Sequence, residues 1–165
     1  MTLPTGATAL LDQLLSAGVA FIVVGGGAAV MQGAPLAPKD LDIVHARTPE
    51  NVERLLSVLR ALRAFDRADL ANRRLAPKAD ALLGHGHVLL TTDLGELDVL
   101  CEIDGDKGYD ELFINSVEVS DGERAVRVLD LPTLIEVKAR AGRPKDRLAI
   151  PVLVATLQER LQQEK

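Results

Sequence analysis

The stretch AFIVVGGGAAVMQGAPLAPKDLDIVH, residues 20–45, runs from an apolar segment into three glycines and ends on two aspartates one residue apart. Val19–Val24 is continuous, apolar and of strand length, the pattern of a strand buried on both faces. The glycines make a tight strand-to-helix turn. GAAVMQ is predicted as a short helix that stops at Gly33. Pro35 and Pro38 each remove an amide donor, so APLAPK is irregular. LDIVHA is a second strand. The unit is strand, glycine turn, short helix, loop, strand.

Upstream, Leu10, Leu11, Leu14 and Leu15 recur at helical spacing over Thr8–Ala17, and Gly18 ends that helix. Downstream, TPENVERLLSVLRALRAF has Thr48 as N-cap and Pro49 at the first helical position. Its stripe is Val52, Leu55, Leu56, Leu59 and Leu62. Residues 66–86 carry no decisive period. HVLLTTDLGELDVLCEI predicts two strands joined at TDLGE, and SVEVSDGERAVRVL a second hairpin centred on SDGE. Two helices follow, DLPTLIEVKARAG capped by Asp130, and PKDRLAIPVLVATLQERLQQ. This order predicts an α/β (α+β) fold with a mixed sheet flanked by helices. The expectation is one domain over residues 1–165, with 130–165 as a helical tail packed on it.

Composition narrows the function. The chain has 165 residues, is 47% hydrophobic and 26% charged, and carries a net charge of −5, ordinary for a globular fold. No apolar run approaches the ~18 residues of a membrane span, and the first residues read as a capped amphipathic helix rather than a signal peptide. Cys101 is alone, which suits a reducing compartment, so a cytoplasmic location is expected. Its apolar setting makes it a core residue. With three Phe, one Tyr and no Trp there are few platforms for stacking bases, against a general nucleic-acid binder. Eleven acidic residues lie between Asp93 and Glu123 against the single Lys107, whereas Lys138, Arg140, Arg143, Lys145 and Arg147 oppose only Asp146. These are either solvated surfaces, with Arg143 and Asp146 supporting one helix, or two walls of one site, carboxylates for metal and cations for phosphate.

The glycines admit three readings. A dinucleotide fingerprint would use Gly25 and Gly27, but its third position is Val30, and Asp40 and Asp42 come too early for the ribose carboxylate. A P-loop fails because no Gly-Lys-Ser/Thr follows. The third reading takes in the aspartates. Asp40 and Asp42 at i and i+2 leave one face of a strand, where their repulsion calls for a cation. Hard oxygen ligands of this kind suit Mg²⁺. Solvated aspartates at a strand start are the alternative. Against it stands Asp98, between Leu97 and Val99 in an apolar strand, where a carboxylate is expensive to bury unless something binds it. Glu96 shares its face and is placed to assist. His85 and His87, flanked by glycines with no cysteine nearby, read as loop rather than ligands.

Together these residues resemble the nucleotidyltransferase superfamily of the polymerase-beta type, in its minimal, bacterial, toxin-like form. Gly25 and Gly26 match the glycine pair, Ala28 and Gly33 the positions after it, Asp40 and Asp42 the paired aspartates, and Asp98 the third carboxylate. The resemblance covers roughly residues 10 to 157. It implies a transferase moving a nucleoside monophosphate from a nucleoside triphosphate to a hydroxyl of a protein, RNA or small molecule. Asp40, Asp42 and Asp98 would be both catalytic residues and ligands of two Mg²⁺ ions. Gly25, Gly26, Gly27, Lys39, Lys138 and Arg143 would contact the nucleotide. Implied partners are the triphosphate, a tRNA or protein acceptor, and an antitoxin; no membrane is implied. The chain departs from the pattern at Gly27, where the family often has Ser or Thr, and at Leu36-Ala37-Pro38, where it has Arg-x-Thr. The alternative is therefore a non-catalytic nucleotide-binding, antitoxin or sensor module with a degenerate site.

Overall fold

The computed structural model describes residues 2–121 and 124–165. The first helix, α1 (Ala7–Ser16), buries Leu10, Leu11 and Leu14 and ends at Gly18, whose φ of +73° lets the chain reverse. Strand β1 (Phe21–Val24) is buried along its whole length, as an apolar run with no alternation requires. Helix α2 (Gly25–Met31) starts on the glycines and stops before Gly33, φ +105°. Strand β2 spans Leu41–His45, so Asp40 sits in the bend just before the strand, one residue outside it.

Helix α3 (Pro49–Ala61) is capped by Thr48, whose side chain accepts from the Asn51 amide at 3.2 Å. Asn51 itself is buried. Its side chain accepts from the Ala20 amide at 2.7 Å and donates to the Ala20 and Ala46 carbonyls at 3.0 and 2.8 Å. One amide thus ties α3 to the start of β1 and the end of β2. Beyond α3 come a two-residue strand β3 (Phe65–Asp66), a loop and a single turn α4 (Ala79–Leu82). The first hairpin is β4 (His87–Thr92) and β5 (Gly95–Leu100). A short helix α5 (Tyr109–Phe113), absent from the sequence reading, precedes β6 (Ser116–Asp121) and β7 (Arg124–Leu129). The turn expected at SDGE lies at Gly122-Glu123, outside the described residues. Asp130 caps α6 (Leu131–Ala141), and α7 (Pro144–Gln163) closes the chain. Among the described residues no helix is long and apolar enough to cross a membrane.

Among the described residues seven strands form one mixed sheet in the order β3-β4-β5-β2-β1-β7-β6, with β2–β5 and β1–β7 parallel and the rest antiparallel. Val23, Leu41, Ile43, Leu97 and Val99 share one face by register and are fully buried. The opposite face carries Val24, Asp42, Asp98 and Leu89 on one row across four strands. Helices α6 and α7 stand over that row, and Leu131, Leu134 and Leu153 join the core.

Candidate active site

The row opens into a cleft of about 990 Å³. Its floor includes Val24, Asp42, Asp98 and Leu89, its near edge Gly25, Gly26, Pro38, Lys39 and Asp40, and its far wall Lys138, Arg140, Arg143 and Lys145. Asp42 and Asp98 are directly opposed on the parallel strands β2 and β5. Asp40 reaches the same point from the bend before β2. One oxygen from each of Asp40, Asp42 and Asp98 lies within 4.8 Å of the others. The convergence expected of two separate chain segments is therefore present.

Asp98 is buried, while Asp40 and Asp42 are half-buried, and Asp42 carries the unsatisfied atom. Its Oδ1 is buried and has no hydrogen-bond partner. Burial, reinforced by Asp98 and Asp40 alongside, pushes its carboxyl up to about 7. Three hard oxygen donors on a cleft floor, one without a partner, form a set that fits a divalent cation. At the rim, a hydrogen bond to Asp40 raises the carboxyl of Glu96.

The glycines make this crowding possible. Gly25 has φ +65°, and a Cβ there would stand 2.7 Å from Asp42 Oδ2. At Gly26 a Cβ would meet the Pro38 side chain at 2.8 Å. Both glycines border the cleft. Gly27 does not: it is buried, and a Cβ there would make ordinary contacts with Leu41, Val23 and Leu3. Gly27, expected to contact the nucleotide, thus faces the core rather than the cleft.

The cations divide into two kinds. Asp146, fully buried, accepts from Arg143 Nε at 2.6 Å and its Oδ1 lies 3.5 Å from Lys138 Nζ; Arg143 in turn holds its carboxyl below the ordinary range. Arg140 pairs with Asp104 at 2.6 Å. These side chains line the cleft but are committed to carboxylates that fasten α6 and α7. Lys39 and Lys145 also line it, are exposed, and form no ion pair among the described residues. His85 and His87 lie on the cleft margin. His85 Nδ1 is 3.0 Å from Glu102 Oε2, and His87 Nε2 is 2.9 Å from the Glu102 carbonyl. Cys101 is buried, as expected, with Sγ 3.4 Å from the Ala81 carbonyl.

The residue that sequence reasoning missed is Arg67, just beyond β3 in the stretch without a period. Its Nη2 bonds Asp98 Oδ1 and lies 3.6 Å from Asp40 Oδ2, and its Nε lies 3.9 Å from Glu96 Oε2. Nothing in the spacing around Arg67 marks it, because its partners are 27 to 31 residues distant in the chain.

The chain matches no protein-family model and no curated protein sequence. Among solved structures it is similar to the lincosamide antibiotic adenylyltransferase LnuA in its lincomycin-bound form, with a TM-score of 0.64 and 12% identity over 92% of this chain and 96% of that one. It is also similar to a candidate nucleotidyltransferase from Thermotoga maritima, with a TM-score of 0.56 and 16% identity over 95% and 91% of the two chains. At such identities the likeness speaks for architecture, and it spans nearly the whole of each partner. The mixed sheet, the glycine turn ahead of α2 and the carboxylates on β2 and β5 together make this a protein of the nucleotidyltransferase fold.

Proposed function

We propose that the protein is a Mg²⁺-dependent nucleotidyltransferase that moves a nucleoside monophosphate from a nucleoside triphosphate to a hydroxyl of an acceptor. The observation that carries this reading is the meeting of Asp40, Asp42 and Asp98 on the cleft floor, with Asp42 Oδ1 buried and without a partner. Such an oxygen is costly to bury unless something else satisfies it. The fold of two nucleotidyltransferase-like neighbours supports the same reading.

Asp40, Asp42 and Asp98 would hold the metal, which when bound supplies charge neutralisation for the attacking and leaving oxygens of an in-line displacement. Gly25 and Gly26 keep the wall beside Asp42 free of side chains, so that a phosphate group can approach the carboxylates closely. Lys39 and Lys145, which form no ion pair among the described residues, would offer charge to the triphosphate, whereas Lys138 and Arg143 position α7 through Asp146. In this reading Asp98 would also take the proton of an acceptor hydroxyl. The acceptor is a small molecule, an RNA or a protein, and a partner of the toxin–antitoxin kind would act by covering the cleft.

Incubation with each α-labelled triphosphate, Mg²⁺ and candidate acceptors should transfer label. Asp40→Ala and Asp98→Ala should each abolish the transfer, and undiminished activity in either variant overturns the mechanism. Mg²⁺-dependent nucleotide binding without transfer to any acceptor would favour the sensor reading instead, which the Leu36-Ala37-Pro38 departure supports.

A further inference from the structure

Three carboxylates drawn together without a cation repel one another, and some group must offset that repulsion in the metal-free protein. Among the described residues the cation paired with this cluster is Arg67. Its attachment is oriented. The backbone amide donates to the Leu89 carbonyl at 3.0 Å and Nη1 donates to the Leu90 carbonyl at 2.8 Å, so the guanidinium is braced along β4. Nη2 then faces Asp98 Oδ1 and Asp40 Oδ2. No hydrogen bond or ion pair connects it to Asp42, whose Oδ1 stays without a partner.

A divalent ion bridging the three aspartates would draw on the same Asp98 and Asp40 carboxylates. A guanidinium and a dication cannot share them closely without strong like-charge repulsion. The Arg67 side chain is 22% exposed and follows an edge strand of only two residues, so it can turn outward while the sheet stays in place.

We infer that Arg67 is the resident counter-cation of the aspartate cluster, seated on Asp98 and Asp40 in the metal-free protein and displaced from them when a divalent ion binds. Metal affinity is then set by exchange against an internal cation rather than by the carboxylates alone. The inference rests on the reading of the cluster as a metal centre, and concerns what that centre holds between metal-bound states.

The test is Mn²⁺ binding, followed by the electron paramagnetic resonance of free Mn²⁺, together with thermal unfolding in chelator, for wild type, Arg67→Gln, Arg67→Lys and Asp42→Asn. Arg67→Gln should bind Mn²⁺ at least about tenfold more tightly than wild type. It should also melt lower in chelator and show the larger Mn²⁺-induced rise in Tm. Arg67→Lys keeps the charge but loses the planar fork, and should fall between the two. Mn²⁺ affinity unchanged or weaker in the folded Arg67 variants, with wild-type binding still abolished in Asp42→Asn, overturns the inference and leaves the metal centre standing. Should Arg67→Gln fail to fold, Arg67→Lys decides: affinity at or below that of wild type refutes the exchange. Absence of Mn²⁺ binding by wild type and both Arg67 variants overturns the centre and the inference together.

Discussion

Replacing Asp42 by asparagine should stabilise the metal-free protein at alkaline pH while removing its response to metal. The carboxyl rises from an ordinary 3.8 to about 7, chiefly because it is buried and secondly because Asp98 is beside it. A folded-state value above the unfolded one means that the native protein holds more protons between those two values. Stability therefore falls as pH rises from about 4 to 7 and is level above. At 1.36 kcal/mol for each pH unit of displacement, the full penalty of ionising Asp42 at pH 8 is about 4 kcal/mol. Asparagine recovers part of it, because its amide must find partners where the proton sat. About 2 kcal/mol is the expected gain, or roughly 4–8 °C in Tm for a chain of this size. Circular dichroism melts in chelator at pH 5 and pH 8 should show the Asp42→Asn advantage at pH 8 and little at pH 5. Saturating Mg²⁺ or Mn²⁺ should then raise the wild-type Tm and leave that of the variant unmoved. A wild type that melts at or above Asp42→Asn at pH 8 in chelator, or a gap of the same size at both pH values, refutes the account of Asp42 as a buried, repelled carboxylate.

Gly25→Ala puts a Cβ 2.7 Å from Asp42 Oδ2 on a backbone of φ +65°. A loss of roughly 1–2 kcal/mol in chemical denaturation is expected from the left-handed backbone alone, with Mn²⁺ affinity falling as Asp42 is pushed aside. Asn51→Ala leaves the Ala20 amide and carbonyl and the Ala46 carbonyl without their buried partner. Urea unfolding should register about 3 kcal/mol, and an unchanged midpoint would mean that water takes over those bonds. Asp146 is held below its ordinary 3.8 by Arg143 and Lys138. Its contribution is present above pH 4 and is lost as pH falls through the folded value, so Asp146→Asn should melt below wild type at pH 7, with the gap closing in acid.

Where a structural signal is local, the sequence carried it. The apolar run at 19–24, the glycines and the Thr48-Pro49 cap each declare their element within a few residues. Asp98 stood out because a carboxylate inside LDVL contradicts its neighbours, and it does face Asp42 across β2 and β5. The charges at 138–147 were legible as a group, but their division was not. A pair between Arg143 and Asp146 on one helix was open to the sequence; only the fold shows that Asp146 is buried and also reaches Lys138, while Lys145 forms no ion pair among the described residues. Arg67 was invisible for a related reason: its role depends on which distant carboxylates the sheet brings beside it. The short α5 escaped because five residues are too few for a helical period to show.

The register Asp42 to Asp98 on adjoining parallel strands has an evolutionary corollary. Slipping either strand by one residue would turn one carboxylate to the far side of the sheet, so their spacing can change only by rebuilding the centre of the domain. Arg67 sits on irregular chain just beyond a two-residue edge strand, where replacement costs the sheet little. Descendants of this protein are thus free to retune how tightly the pair is held, and by what, while the pair itself stays where the sheet has put it.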